Sequence, residues 1–110
     1  MAYDDDLAAR IRELLGADSG VAEKQMFGCL AFLVNGNMSV AASGQGGLLV
    51  RVPPDDTESL LEGEHVEPMV MRGRELRGWL RVDAEGVRSD RELESWVERG
   101  VAFARSLAPK

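Results

Sequence analysis

The sequence predicts an α+β domain. The expected order is helix, three strands, helix, two strands, helix, with a mostly antiparallel five-stranded sheet and the helices packed mainly on one face. Three observations carry this reading. Asn35-Gly36 separates two apolar runs, and both residue types tolerate the positive φ that a type I′ hairpin turn needs at its central positions. Two further apolar runs flank Arg72-Gly73. Near the C-terminus Leu93, Trp96, Val97, Gly100, Val101, Ala104 and Leu107 recur at helical spacing.

Taken in order, Asp4 to Leu15 reads as the first helix, with Leu7, Ile11, Leu14 and Leu15 on its apolar stripe. Asp4, Asp5 and Asp6 suit an N-cap and the positive end of the helix dipole. They do not suit a metal cluster, because consecutive helical positions point in different directions. Gly16 is a natural residue just past the helix end. Phe27 to Val34 and Asn37 to Ala42 should form the first hairpin, and Gly44, Gly46 and Gly47 a looser connection to Leu48–Val52. After Pro53-Pro54, a short helix is expected with Asp55 and Glu58 as a capping box, Leu60 and Leu61 inward, and Gly63 as its stop. Val66 to Met71 and Glu75 to Val82 read as the second hairpin. Ser89 and Glu92 form a capping box for the last helix, which Pro109 ends. Gly100 lies on that helix's apolar stripe, where a glycine costs about 1 kcal/mol against alanine. Close approach of the helix to the sheet is the expected compensation.

Register yields a further expectation. A two-residue turn pairs Val34 with Asn37, Leu33 with Met38, Phe32 with Ser39 and Ala31 with Val40. One face then carries Ala31, Leu33, Met38 and Val40; the other carries Leu30, Phe32 and Val34 with Ser39 and Ala41. Both are apolar, which is more surface than three helices cover. A homodimer is expected, with Leu30, Phe32 and Val34 as its candidate face.

The bulk properties restrict the function classes. A chain of 110 residues, 45% apolar and 29% charged, fits one domain over residues 1–110 and neither a disordered nor a membrane protein. No apolar run approaches the ~20 residues of a membrane span. The acidic start, Met-Ala-Tyr-Asp-Asp-Asp, is unlike a secretory signal, so a cytoplasmic location is expected. One cysteine and one histidine exclude an internal disulfide and a zinc site of sulfur and nitrogen ligands. A net charge of −6 argues against autonomous duplex binding, whose affinity comes from neutralising phosphates.

Chemistry-bearing patterns are sparse. Gly44 to Gly47 leads into a strand, whereas a phosphate loop leads into a helix. Cys29 reads as a core residue and His65 as a strand-edge residue, with no catalytic partner in pattern for either. Arg72, Arg74, Arg77 and Arg81 cluster in the second hairpin with Arg51 near, and Arg77, Trp79 and Arg81 share a strand face. An aromatic flanked by arginines is a means of holding single-stranded nucleic acid. It is equally a solvated strand face with Trp79 packed on a neighbour. No cofactor motif occurs.

The pattern Lys24-x-Met26-Phe27-Gly28, the Leu30–Val34 strand, Asn35-Gly36 and Gly47-Leu48-Leu49-Val50-Arg51-Val52 resemble the TfoX N-terminal domain family. Pro68-Met69, Met71-Arg72-Gly73-Arg74, Gly78-Trp79-Leu80 and Gly100 to Arg105 continue the resemblance over almost the whole chain. It implies the α+β fold, a dimer, and a role in transcriptional regulation. The family's TfoX/Sxy competence regulators work through the cyclic-AMP receptor protein, without a recognised DNA-binding motif of their own. They carry a second, helical domain, which a chain ending at Lys110 is expected to lack. Some short relatives carry enzyme labels, including RNA methyltransferase; the Gly-rich strand-to-helix turn that would support one is missing here. The resemblance assigns no catalytic residue.

The expected function is thus a small, non-catalytic, bacterial interaction module without cofactor, acting by protein contact and not at a membrane. The alternatives are a nucleic-acid accessory protein using the arginine hairpin and a ligand-binding protein or enzyme with a pocket between sheet and helices.

Overall fold

A computed structural model describes residues 5–16, 20–26, 28–44, 46–71 and 73–108. Helix α1 (Asp5–Leu15) buries Leu7, Ala8 and Ile11, while Leu14 is exposed, not on the buried stripe as expected. Gly16 follows with φ 57° and donates to the Arg12 carbonyl at 2.9 Å, the expected left-handed helix end. The expected cap at Asp4 and the start of the first hairpin at Phe27 lie outside the described residues, as does Pro109.

The sheet has six strands, not five: β1 (Val21–Met26), β2 (Cys29–Val34), β3 (Asn37–Ala42), β4 (Leu48–Arg51), β5 (Val66–Met71) and β6 (Arg74–Val82). All neighbours are antiparallel, in the order β1-β2-β3-β4-β6-β5. The additional strand is β1. Its sequence, Val-Ala-Glu-Lys-Gln-Met, lacks apolar alternation because it is an edge strand, solvated along much of its length. Pro68 sits on the opposite edge strand, β5, where a missing N–H is tolerated.

The first hairpin turns at Asn35 (φ 52°) and Gly36 (φ 83°) as expected. Val34 pairs with Asn37 and Leu33 with Met38, but Phe32 then pairs with Val40, Ala31 with Ala41 and Leu30 with Ala42. The expected Phe32–Ser39 and Ala31–Val40 pairs are therefore incorrect, because Ser39 is the extra residue of a bulge. Its hydroxyl donates to the Phe32 carbonyl at 2.9 Å inside the core. The bulge transfers Val40 to the face of Phe32 and Ala41 to the face of Ala31.

After β4, Pro54–Asp56 forms a 3-10 turn that runs into α2 (Thr57–Leu60). Pro54, with its fixed φ, starts the turn before Asp55, so Asp55 lies inside it and the expected Asp55–Glu58 capping box does not form. Thr57 supplies the local anchor instead: its buried hydroxyl accepts from the Gly78 N–H of β6 at 2.9 Å. A second 3-10 turn, Ala84–Val87, is capped by the Asp83 carboxylate, which accepts from the Gly86 N–H at 3.0 Å. In α3 (Asp90–Ser106) the Ser89 hydroxyl accepts from the Glu92 N–H at 3.1 Å and donates to the Glu92 carboxylate at 3.2 Å.

The main core lies between one sheet face and the helices. Leu30, Phe32, Val34, Val40, Val50 and Leu80 pack there on Leu7, Ile11, Leu93, Val97 and Val101. A Cβ on Gly100 would stand 2.7 Å from the Ser39 carbonyl oxygen and 2.8 Å from Val40 Cγ1. The expected close approach of helix to sheet is present, and its contact point is the bulge.

Candidate interaction surface

The side on which the helices pack settles which face of the sheet stays open. Leu30, Phe32 and Val34, the expected dimer face, are at most 3% exposed beneath the helices. They present no surface, and that expectation is corrected. The opposite face carries a second apolar cluster built from strand residues alone. Ala31, Ala41 and Leu49 form its buried centre, with Cys29, Leu33, Met38, Met69 and Trp79 partly buried around them. Across the sheet one row of paired residues runs Lys24, Ala31, Ala41, Leu49, Arg81, Glu67. The neighbouring row pairs Ala22 with Leu33 and Leu33 with Met38 on one side, and Arg51 with Trp79 on the other.

The arginines near this face have separate partners. Arg81 lies along the sheet, donating to the Ser43 hydroxyl at 3.2 Å and the Gly46 carbonyl at 2.9 Å. It thereby fastens the glycine loop between β3 and β4. That loop is drawn close, since a Cβ on Gly47 would collide with the Val82 carbonyl. The Arg51 guanidinium sits 5.7 Å from the centre of the Phe103 ring on α3. Arg77 reaches Asp55 at 3.4 Å in an exposed pair. Arg74 is exposed at the end of the hairpin, and Arg72 lies outside the described residues. Trp79 and Arg81 share the outer face with Leu49, but Arg51 and Arg77 are drawn to other elements. The structure thus disperses the sequence cluster.

Two polar constellations were not visible in the sequence. Arg10 of α1 donates to the Val87 carbonyl at 2.9 Å and the Arg88 carbonyl at 3.1 Å, and pairs with Asp90 at 3.2 Å. It ties α1 to the start of α3 across 77 residues or more of sequence, a distance that no local pattern encodes. His65 Nδ1 lies 3.2 Å from the Asp83 carboxylate. Burial works to raise the Asp83 pKa, but the Gly86 N–H, His65 and the Glu85 N–H outweigh it and hold the carboxyl below its usual range. This pair joins the start of β5 to the turn after β6. No nucleophilic side chain forms a hydrogen-bonded relay with it among the described contacts, so its geometry is that of a clasp.

Open grooves follow the seams between helices. One, lined by Asp6, Arg10, Glu13, Arg88 and Asp90 among others, lies between α1 and the start of α3. Another, lined by Leu14, Leu15, Glu94, Val97, Glu98, Val101 and Arg105, runs between α1 and α3. Among the described residues no group of His, Cys, Asp and Glu could hold a metal ion. No helix among them is long and apolar enough to cross a membrane.

Comparison with known proteins gives one match. The family model described as TfoX N-terminal domain matches residues 13–104, from the end of α1 through most of α3. No curated protein and no solved structure matches the chain.

Proposed function

The chain belongs to the TfoX N-terminal domain family, and from that membership we propose that it is a non-catalytic, regulator-type module that acts by protein–protein contact. The observation that carries this reading is the second apolar cluster. Leu33, Met38, Met69 and Trp79 lie around Ala31, Ala41 and Leu49 on the sheet face opposite the helix-packed core. Contiguous apolar surface of this kind marks interaction sites in soluble domains. Trp and Met are also the residue types enriched at interface centres. The competence-regulator role that the family suggests is then exercised through partners bound by this module.

The second reading is nucleic-acid contact through the β5–β6 hairpin, using Arg72, Arg74 and Arg77 with Trp79. It is favoured by the exposure of Arg74 and Arg77 on β6. An affinity capture from source-cell lysate, run with and without nuclease, separates the two. Wild-type protein and a Leu33→Arg variant are compared. A nuclease-resistant protein retained by the wild type and lost from the variant supports protein contact. Recovery of nucleic acid alone, abolished by nuclease and by Arg74→Ala/Arg77→Ala, overturns it in favour of the hairpin.

A further inference from the structure

We propose that the outer face of the sheet is a self-association surface, packing on the same face of a second copy about a two-fold axis that runs along the strands between β3 and β4. This rests on the protein-contact reading and names the partner at that face.

The width of the face selects a broad occupant. Ala31 and Ala41 are 0% and 1% exposed although only strand residues surround them in the outer cluster. Their larger neighbours, Leu33, Met38, Leu49 and Trp79, therefore close over them. The apolar side chains of the face come from five adjacent strands, β2, β3, β4, β6 and β5. Six strands at about 4.8 Å spacing and some five residues of length give a footprint of about 29 by 17 Å, on the order of 500 Å² in projection. A stable interface buries about 800 Å² of accessible surface per partner, so the full width of the sheet is needed. A single helix, about 10 Å across, covers only a third of it. A second sheet of equal width covers all of it, at the usual separation of about 10 Å between packed sheets.

Charge and side-chain size then favour a second copy in this orientation. The protein carries a net −6, so two copies repel at a distance, yet the six strands hold five basic and three acidic residues. The acid excess of the molecule therefore lies outside the sheet. The strand order places β3 over the partner's β4, β2 over its β6 and β1 over its β5. In the row Lys24, Ala31, Ala41, Leu49, Arg81, Glu67, this sets Lys24 opposite Glu67 of the second copy at both ends. It sets Ala41 opposite Leu49, and in the next row Leu33 opposite Trp79. Ala41 leaves room for Leu49, Leu33 and Trp79 bring apolar side chains together, and the one exposed acid in the row meets an exposed base. The rotation of about 30° between aligned sheets spreads each match over adjacent residues. Arg81 and Arg51 do not obstruct it, since their guanidiniums are drawn to Ser43 and Gly46 and to Phe103.

Sedimentation equilibrium from low micromolar concentration upward tests this. The wild type should show a concentration-dependent dimer. Leu33→Arg should be monomeric with unchanged circular dichroism and with the melting temperature of wild type diluted to the monomer, and Met38→Lys, also partly exposed, provides the same test where Leu33→Arg does not fold. Lys24→Glu should weaken association by about tenfold or more, as two attractive exposed pairs become repulsive. Adding Glu67→Lys should restore it. A wild type that stays monomeric, a dimer indifferent to both apolar substitutions, or a charge reversal without rescue each overturns the proposal. A monomeric wild type that still captures a nuclease-resistant partner, lost in Leu33→Arg, overturns self-association and leaves protein contact standing.

Discussion

Gly100 shows how one residue couples two elements. It lies in the middle of α3, where alanine would be favoured by about 1 kcal/mol on helix propensity. A Cβ there meets the Ser39 carbonyl oxygen at 2.7 Å, and a backbone oxygen inside a bulge has little room to retreat. Overpacking of this kind costs about 1–3 kcal/mol and outweighs the propensity gain. Gly100→Ala should therefore lower stability by about 1 kcal/mol in urea unfolding; a more stable variant would show that α3 slides off the bulge freely. The sequence exposed one half of this arrangement. A glycine on an apolar helical stripe signals close approach, and that inference holds. The other half was hidden, because nothing in Asn37-Met-Ser-Val-Ala-Ala separates a bulged serine from a paired one. Only the contact with Gly100 and the bond from the Ser39 hydroxyl to the Phe32 carbonyl distinguish it.

Among the elements, those whose apolar pattern largely matches their burial were legible: α1 apart from Leu14, α3, the turn at Asn35-Gly36 and the hairpin of β5 and β6. Strand β1 was not, for a physical reason. Its inner face spends a position on Glu23, which receives two hydrogen bonds from Arg12 of α1 at 2.7 and 2.8 Å. An ion pair at the sheet edge takes the place of an apolar contact, so the alternation that signals a strand is lost. The candidate dimer face failed for a related reason. The alternation puts Leu30, Phe32 and Val34 on one face, but the sequence does not state which face the helices take; the bulge moves only Val40 and Ala41. The same ion pair makes β1 sensitive to acid. The hydrogen bond from Arg12 lowers the Glu23 pKa, partial burial opposes it, and the charge of Arg12 adds to the lowering. A carboxyl with a depressed folded-state pKa stabilises the fold above its unfolded value and loses that contribution as pH falls through the folded one. Both side chains are more than a third exposed, so the contribution is only a few tenths of a kcal/mol. The stability difference between wild type and Glu23→Gln should be present at neutral pH and close as the pH falls below the ordinary carboxylate range. A difference that persists in strong acid would locate the effect elsewhere.

On the scale of the whole molecule, all three helices contribute to the core on one side of the sheet, and the other face carries a second apolar cluster between charged edges. A two-layer domain of this kind leaves its second sheet face to water or to a partner. The competing forces on self-association have opposite salt dependence. Two copies of charge −6 at about 25 Å repel by about 6 kcal/mol before screening, and the Debye length shrinks from about 30 Å at 0.01 M salt to about 8 Å at 0.15 M. Loss of that repulsion exceeds what screening removes from two exposed Lys24–Glu67 pairs, each worth at most about 1 kcal/mol. Added salt should therefore tighten the dimer, whereas a complex of the arginine hairpin with nucleic acid would loosen. The protein has two tryptophans, Trp79 on the outer face and Trp96 on α3 beside Arg99, which allows a direct readout. In a Trp96→Phe variant, dilution should shift the Trp79 emission to the red as the face becomes hydrated. The midpoint should move to lower protein concentration as salt is added. In Trp79→Phe, the remaining Trp96 should report no change with dilution. Emission from Trp79 that is independent of concentration, or a midpoint that rises with salt, would show that this face is not held by a second copy through its apolar surface.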